Sequence, residues 1–320
     1  MTTKSRGRHD NVVQMRRAKS LTSAALTRLA QHQASVAAGA AMHCPPGSQS
    51  NAIGLVSLVG AGPGDPELLT LRAVRVLMRA EVVVYDHLVN ESILSLTADG
   101  TELIYAGKQT SHHTLSQDQI SQLLVGLARR GKRVVRLKGG DPFIFGRGGE
   151  EVEFLLENGV PFEVIPGITA ASGAASYAGI PLTHRDHAQS CVFVTGHLKP
   201  GGGDIDWDSL ARPRQTLVIY MGLGQISDIC ANLVAHGLSA CTPAAVIEHA
   251  TTPQQRVVTG NLLDLPLRVR QGGFKSPSLI IVGDVVTLHD TLGAAAQKPV
   301  PGRTAGTRIA RVAGERVASE

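Results

Sequence analysis

Two glycine-rich segments carry the residues of this chain that could do chemistry. The first is Gly60-Ala61-Gly62-Pro63-Gly64-Asp65. It joins a short apolar run, Leu55-Val56-Ser57-Leu58-Val59, to a stretch with helical spacing. A glycine turn between strand and helix is where backbone amides can receive a phosphate. The match to a dinucleotide fingerprint is incomplete: Asp65 stands where the last glycine is required, and Pro63 removes a backbone donor. Asp86 nonetheless lies about where a ribose-binding acid would sit. On these residues alone, a dinucleotide loop and an ordinary tight turn both stay open.

The second segment is Gly139-Gly140-Asp141-Pro142-Phe143-Ile144-Phe145-Gly146-Arg147-Gly148-Gly149-Glu150-Glu151. Glycine loses more conformational freedom on folding than any other residue. A loop this rich in it is expected where backbone must approach a ligand closely. Arg147 can grip a carboxylate with both arms of its guanidinium, or pair locally with Glu150 or Glu151. Asp86 closes the run Val82-Val83-Val84-Tyr85 at a strand's C-terminal end, where sites of α/β proteins gather; capping a turn is its plainer role.

The elements that must hold these loops alternate. Strands are expected at 55–59, 82–85, 133–138 and 162–165. One helix is expected to open at Asp65-Pro66, with Leu68, Leu71, Val74 and Leu77 on its apolar face. Ser116 and Gln119 form a capping box for a helix that ends before Gly131, and a further helix spans 149–158. A second unit follows, with strands at 190–195, 216–220, 244–248, 256–259 and 278–282 and a helix at 225–236. Valine and isoleucine runs without polar alternation predict strands covered on both faces. The expected fold class is α/β: two tandem α/β domains, at 53–167 and 168–295, with a cleft between them.

Composition limits the partners. Aromatic residues make up 3% of the chain, too few for base-stacking platforms, so no nucleic acid is expected. The net charge of +5 comes from residues 1–52 and 296–320, both basic and expected to be disordered; the body between them is net negative. The first of these segments also resembles an organelle transit peptide in being arginine-rich, serine-containing and acid-poor. Cys44, Cys191, Cys230 and Cys241 form no CxxC pair and predict reduced, mostly buried thiols in a cytoplasmic protein without a metal site. No apolar run is long enough to span a membrane.

More motifs follow in order: Arg136-Leu137-Lys138 before the second loop, Val164-Ile165-Pro166-Gly167-Ile168-Thr169-Ala170-Ala171, Gly179-Ile180-Pro181-Leu182-Thr183-His184-Arg185, Val194-Thr195-Gly196-His197-Leu198-Lys199 and Tyr220-Met221-Gly222. With the two glycine loops, and over about residues 53–290, they resemble the tetrapyrrole methylase family, and within it the members that methylate uroporphyrinogen III. The resemblance implies S-adenosyl-L-methionine as methyl donor, S-adenosyl-L-homocysteine as product, and transfer to C2 and C7 of uroporphyrinogen III. The product would be precorrin-2, at the entry to sirohaem, cobalamin and haem d1.

The resemblance carries over Pro63, Gly139, Gly140, Asp141, Ile144, Thr169, Ala170, Met221 and Ala250 as cofactor contacts in the inter-domain cleft. It carries over Asp86 and Lys108 as proton acceptor and donor. Eight substrate carboxylates need a local basic patch, for which His113, Arg147, His184, Arg185, His197 and Lys199 are the candidates beside Lys108. Gln109 and Ser111 stand where the family commonly has Arg and Gly, which predicts a weaker grip on a carboxylate there. The resemblance also implies a homodimer. Some relatives carry an N-terminal dehydrogenase and ferrochelatase module; 52 residues cannot hold one, so methylation alone is expected. The rival readings are a methyltransferase for a later corrinoid, an NAD(P)-dependent oxidoreductase built on the first loop and Asp86, and a non-catalytic tetrapyrrole carrier.

Overall fold

Valine-rich strands without alternation belong in a sheet covered on both sides, and the first half of the chain builds one. The computed structural model describes residues 52–107, 115–196 and 205–296. Lys108, His113, His197, Lys199 and Cys44 lie outside the described residues. So do the two basic segments, save Ala52 and Ala296 at their edges. The first sheet contains β1 (Val56–Gly60), β2 (Val82–Tyr85), β3 (Glu102–Tyr105), β4 (Val134–Lys138) and β5 (Phe162–Ile165). Its order is β3-β2-β4-β1-β5, and every pairing is parallel.

Helices α1 (Leu71–Leu77) and α2 (Glu91–Leu94) cover one face, where Ala73, Leu77 and Ile93 pack on Val59, Val83, Val135 and Leu137. Helices α3 (Gln117–Arg129) and α4 (Gly148–Glu157) cover the other, where Leu124, Ala128 and Leu155 pack on Val56, Leu58, Val82 and Val84. The expected capping box starts α3: Ser116 Oγ accepts from Gln119 N–H at 3.2 Å, and Gln119 Oε1 accepts from Ser116 N–H at 2.8 Å.

The single helix expected after Asp65 is broken in two. Asp65 does accept from Glu67 N–H at 2.9 Å, and Pro66 opens a 3-10 turn, Pro66–Leu68. Leu69 and Thr70 then return to extended backbone, and Thr70 caps α1 by accepting from Ala73 N–H at 3.2 Å. The second cap resets the helical phase. Leu71, expected on the buried face, is 75% exposed, whereas Leu77 faces the core as expected and Ala73 joins it there.

The second half contains α5 (Ala170–Ala178), β6 (Ser190–Thr195), α6 (Trp207–Leu210), β7 (Gln215–Tyr220), α7 (Ile226–Ala235), β8 (Pro243–Glu248), β9 (Arg256–Asn261), α8 (Leu265–Gln271), β10 (Ser278–Val282) and α9 (His289–Ala296). The sheet order is β6-β7-β10-β8-β9. Only β6 and β7 pair in parallel; the other pairings are antiparallel. One face packs on α7 and α8, the other on α5 and the 3-10 turn Asp284–Leu288.

Among the described residues no helix is long and apolar enough to cross a membrane. Cys191, Cys230 and Cys241 are free thiols. Of these three described cysteines only Cys230 is fully buried, because Cys191 lies on the edge strand β6 and Cys241 in the exposed turn before β8. Burial pushes the Cys191 and Cys230 thiols up to about 11, which leaves both protonated near neutrality.

Candidate functional site

Parallel strands deliver their C-terminal ends to one edge of the sheet. Where β1, β4 and β5 end, three loops cross at van der Waals distance. A Cβ on Gly60 would lie 2.5 Å from Gly167 N, and one on Gly167 would fall on the Gly140 carbonyl oxygen. Gly62 and Gly140 exchange both backbone hydrogen bonds, at 3.1 and 2.7 Å. Asp141 fastens the crossing. Its Oδ2 accepts from Gly167 N–H at 3.0 Å and its Oδ1 from Phe143 N–H at 2.9 Å. The carboxylate thus fixes the second glycine loop to the segment that leads into α5.

The glycines further along this loop serve a different need from the expected one. A Cβ on Gly146 would lie 2.8 Å from Pro142 O, and one on Gly148 would collide with the same carbonyl. These two glycines let the loop fold on itself rather than admit a ligand.

The small-residue helix α5 receives both halves of the chain. Pro63 packs its ring on Gly173, where a side chain would collide with it. This part of α5 is therefore used for close packing. Gly64 approaches the Ala250 carbonyl, and Asp65 N–H donates to Thr251 Oγ1 at 3.0 Å. Tyr177 on α5 donates to Asp65 Oδ2 at 2.5 Å, and Asn90 Nδ2 donates to Gly64 O at 2.8 Å. From the second sheet, Tyr220 OH meets Thr169 Oγ1 at 2.6 Å and accepts from Ala171 N–H at 3.0 Å.

Burial pushes the Tyr220 phenol up, so it stays neutral. Phe145 of the second loop packs on the Tyr220 ring at 4.7 Å, and Ile144 packs on the cluster around Ala171 and Ala174. Met221 follows Tyr220 with φ +55° and is 52% exposed. Pro63, Gly140, Asp141, Ile144, Thr169, Ala170 and Ala250 thus lie about the start of α5 or the loops that meet it, whereas Gly139 packs against Leu88 and Met221 follows Tyr220 at the end of β7.

A charged cluster lies on the α3 and α4 side of the first sheet. Asp86 follows β2, and its Oδ1 accepts from Leu88 N–H at 3.1 Å. Its Oδ2 lies 3.5 Å from Arg136 Nη2. Arg136 and Lys138 share a face of β4, and both converge on Glu151 Oε1 of α4, at 3.2 and 2.9 Å. Gln117 Nε2 donates to the same oxygen at 2.8 Å.

Burial pushes the Lys138 ammonium below its ordinary value, and the Arg136 charge adds to that. Burial works to raise the Glu151 carboxyl, but Arg136 and Lys138 outweigh it and hold the group lowered. Arg136 and Lys138 stood in a motif the sequence singled out. Their alternation on a buried strand next to Asp86 was the available signal for a functional cluster. Glu151 gave none, because the sequence offered it only as a partner for Arg147.

Arg147 pairs instead with Glu150, at 2.8 and 2.6 Å, and this bond raises the guanidinium pKa. Both side chains are more than half exposed. Such a pair contributes little to stability, so Arg147→Ala is expected to change the unfolding free energy by no more than about 0.5 kcal/mol, measured by urea titration. A larger loss would mean that the pair anchors the loop.

His184 and Arg185 lie before β6, at the end of the second sheet away from Met221. His184 Nδ1 accepts from Asp186 N–H at 3.2 Å, and the Arg185 carbonyl accepts from Arg214 at 3.4 Å. Both residues precede β6, whose start pairs with the start of β7, whereas Thr195 and Tyr220 pair at the other end. A parallel pair puts residues before the strands and residues after them at opposite edges, which separates His184 and Arg185 from Met221.

Residues 55–266 match the family model described as Tetrapyrrole (Corrin/Porphyrin) Methylases. A siroheme synthase of Nitrosomonas europaea is 61% identical over 239 residues, which is 75% of this chain and 50% of that protein. The chain spans about half the length of the curated relatives it matches. The uroporphyrin-III C-methyl transferase of Thermus thermophilus, solved in complex with S-adenyl homocysteine, is 46% identical. Its TM-score is 0.62, and the match covers 73% of this chain and 93% of that one. A cobalt precorrin-4 methyltransferase is 26% identical with a TM-score of 0.66, covering 72% of this chain and 95% of that one.

Proposed function

Because the chain belongs to the tetrapyrrole (corrin/porphyrin) methylase family, we propose that it transfers methyl groups from S-adenosyl-L-methionine to C2 and C7 of uroporphyrinogen III, giving precorrin-2 and S-adenosyl-L-homocysteine. The observation that supports this reading is the convergence of Pro63, Asp141, Thr169 and Tyr220 about the start of α5. The residues present fit such a donor. The Asp141 carboxylate favours a cation, glycine and alanine backbone admits a flat ring, and Met221 offers a polarizable wall. When bound, the donor supplies an electrophilic methyl on a sulfonium.

The protein's task is alignment. Pyrrole carbon, methyl and sulfur must lie in line with water excluded, which can lower the barrier by roughly 7–11 kcal/mol. Once carbon has attacked, the ring is cationic and must release a proton. Asp86 is the candidate acceptor, with Lys108 as donor. Lys108, His113, Arg147, His197 and Lys199 would hold the substrate carboxylates. The identity to the uroporphyrin-III enzyme, 46% against 26% to the precorrin-4 enzyme, favours the earlier substrate over a later corrinoid. Free thiols at Cys191, Cys230 and Cys241 suit a cytoplasmic setting, and a homodimer is part of the same reading.

An anaerobic assay with uroporphyrinogen III and methyl-labelled S-adenosyl-L-methionine is expected to give a doubly labelled, coloured product with NMR signals for methyls on C2 and C7. Label remaining on the donor, or methylation only of a later corrinoid, would overturn the proposal.

A further inference from the structure

The charged cluster under Asp86 contains a carboxylate that the family resemblance leaves without a role. Glu151 is fully buried. Its Oε1 is crowded by Arg136 Nε, Lys138 Nζ and Gln117 Nε2. Its Oε2 is buried and has no hydrogen-bond partner among the described residues. An unmatched buried carboxylate oxygen is a cost that stability alone does not require, and buried ion pairs are weak stabilisers compared with well-packed apolar residues. What the arrangement does achieve is orientation.

Arg136 is threaded between two carboxylates. Its Nε is held by Glu151, its Nη1 donates to the Val84 and Leu137 carbonyls at 3.3 and 3.1 Å, and its Nη2 reaches Asp86 at 3.5 Å. Glu151 also faces Lys138, which the parallel register places beside Asp86: Tyr85 pairs with Leu137, so the next residues on each strand are neighbours. Two cations and two carboxylates balance. Without the Glu151 charge, Arg136 and Lys138 would both be drawn onto Asp86.

We propose that Glu151 is a positioning residue for methyl transfer. By holding Arg136 Nε and Lys138 Nζ, it keeps the two cations from closing fully on Asp86, which touches Arg136 only through Nη2 at 3.5 Å, and leaves that carboxylate oriented to accept a proton. This rests on the reading of Asp86 as the proton acceptor.

The test is a double-mutant cycle read in kcat and KM. Glu151→Gln is expected to lower kcat about 10- to 100-fold, the loss typical of a misplaced catalytic group. KM for uroporphyrinogen III and for S-adenosyl-L-methionine should stay within about twofold. In the Asp86→Asn background the same substitution should cost less than about twofold, because the group it positions is already gone. If Glu151→Gln does not fold, Glu151→Gln with Lys138→Met removes one charge of each sign and enters the same cycle. Equal losses in both backgrounds, or a rise in KM with kcat unchanged, would make Glu151 a structural residue only and leave the Asp86 reading standing. If Asp86→Asn alone left kcat unchanged, both readings would fall together.

Discussion

Replacing Asp86 by asparagine is expected to lower kcat by about 10²- to 10⁴-fold, the range lost when a general base is removed. The affinity for S-adenosyl-L-homocysteine should stay within about twofold. The split follows from the contacts. Asp86 touches Leu88 and Arg136, whereas the glycine crossing is tied by Asp141, Gly167, Gly62 and Gly140. Asparagine keeps the shape of the side chain and its acceptor for Leu88 N–H, so a collapse of the turn cannot explain a large loss. Single-turnover transfer from labelled donor separates the chemical step from product release. An unchanged rate would return Asp86 to the role of a turn cap.

The second large effect is expected at Asp141. Its carboxylate accepts two backbone N–H groups, from Phe143 and Gly167. Hydrogen bonds to a charged acceptor contribute about 1.5–3 kcal/mol each. Asp141→Ala breaks both, orphans the Gly167 amide at the tightest point of the crossing, and removes the negative charge expected to bind the amino end, which S-adenosyl-L-homocysteine shares with the methyl donor. Binding of S-adenosyl-L-homocysteine should weaken by about 100-fold or more. Asp141→Asn, which keeps an acceptor but no charge, should fall between the two, at about 10-fold. Titration calorimetry gives both values, and far-UV circular dichroism checks that the fold is retained. A normal affinity in Asp141→Ala would detach the loop crossing from the cofactor.

Both predictions depend on loops whose importance was legible before any coordinates, although the reasons partly changed. Glycine richness in the second loop pointed to a ligand. The structure divides those glycines between the three-backbone crossing, at Gly140, and internal folding against Pro142, at Gly146 and Gly148. Composition cannot make that division, since a missing Cβ leaves the same mark whether the close neighbour is a ligand or the chain itself. The run of small residues after Thr169 behaves likewise: at Gly173 the neighbour is the Pro63 ring.

The strands were readable because short runs dominated by valine, isoleucine and other apolar residues, bounded by turn signals, mark strands packed in a sheet. The expected ranges at 162–165, 190–195 and 278–282 coincide with β5, β6 and β10. The edge strand β3, with Glu102 and Leu103 exposed, offered no such run and passed unread. The break between the 3-10 turn and α1 was also hidden, because Asp65-Pro66 and Thr70 are both valid caps and local sequence does not rank them.

The sequence by itself determined the strand–helix alternation, the capping of α3, the two glycine loops and the family to which their motifs belong. These follow from short-range rules: burial periodicity, cap chemistry and backbone permissiveness. Only the tertiary structure decided which of the possible ion pairs form. Arg147 went to Glu150, Glu151 went to Arg136 and Lys138, and His184 with Arg185 went to the far edge of the second sheet. Ion-pair choice depends on side-chain direction and on strand register across the sheet. Neither is fixed until parallel strands far apart in sequence are laid side by side.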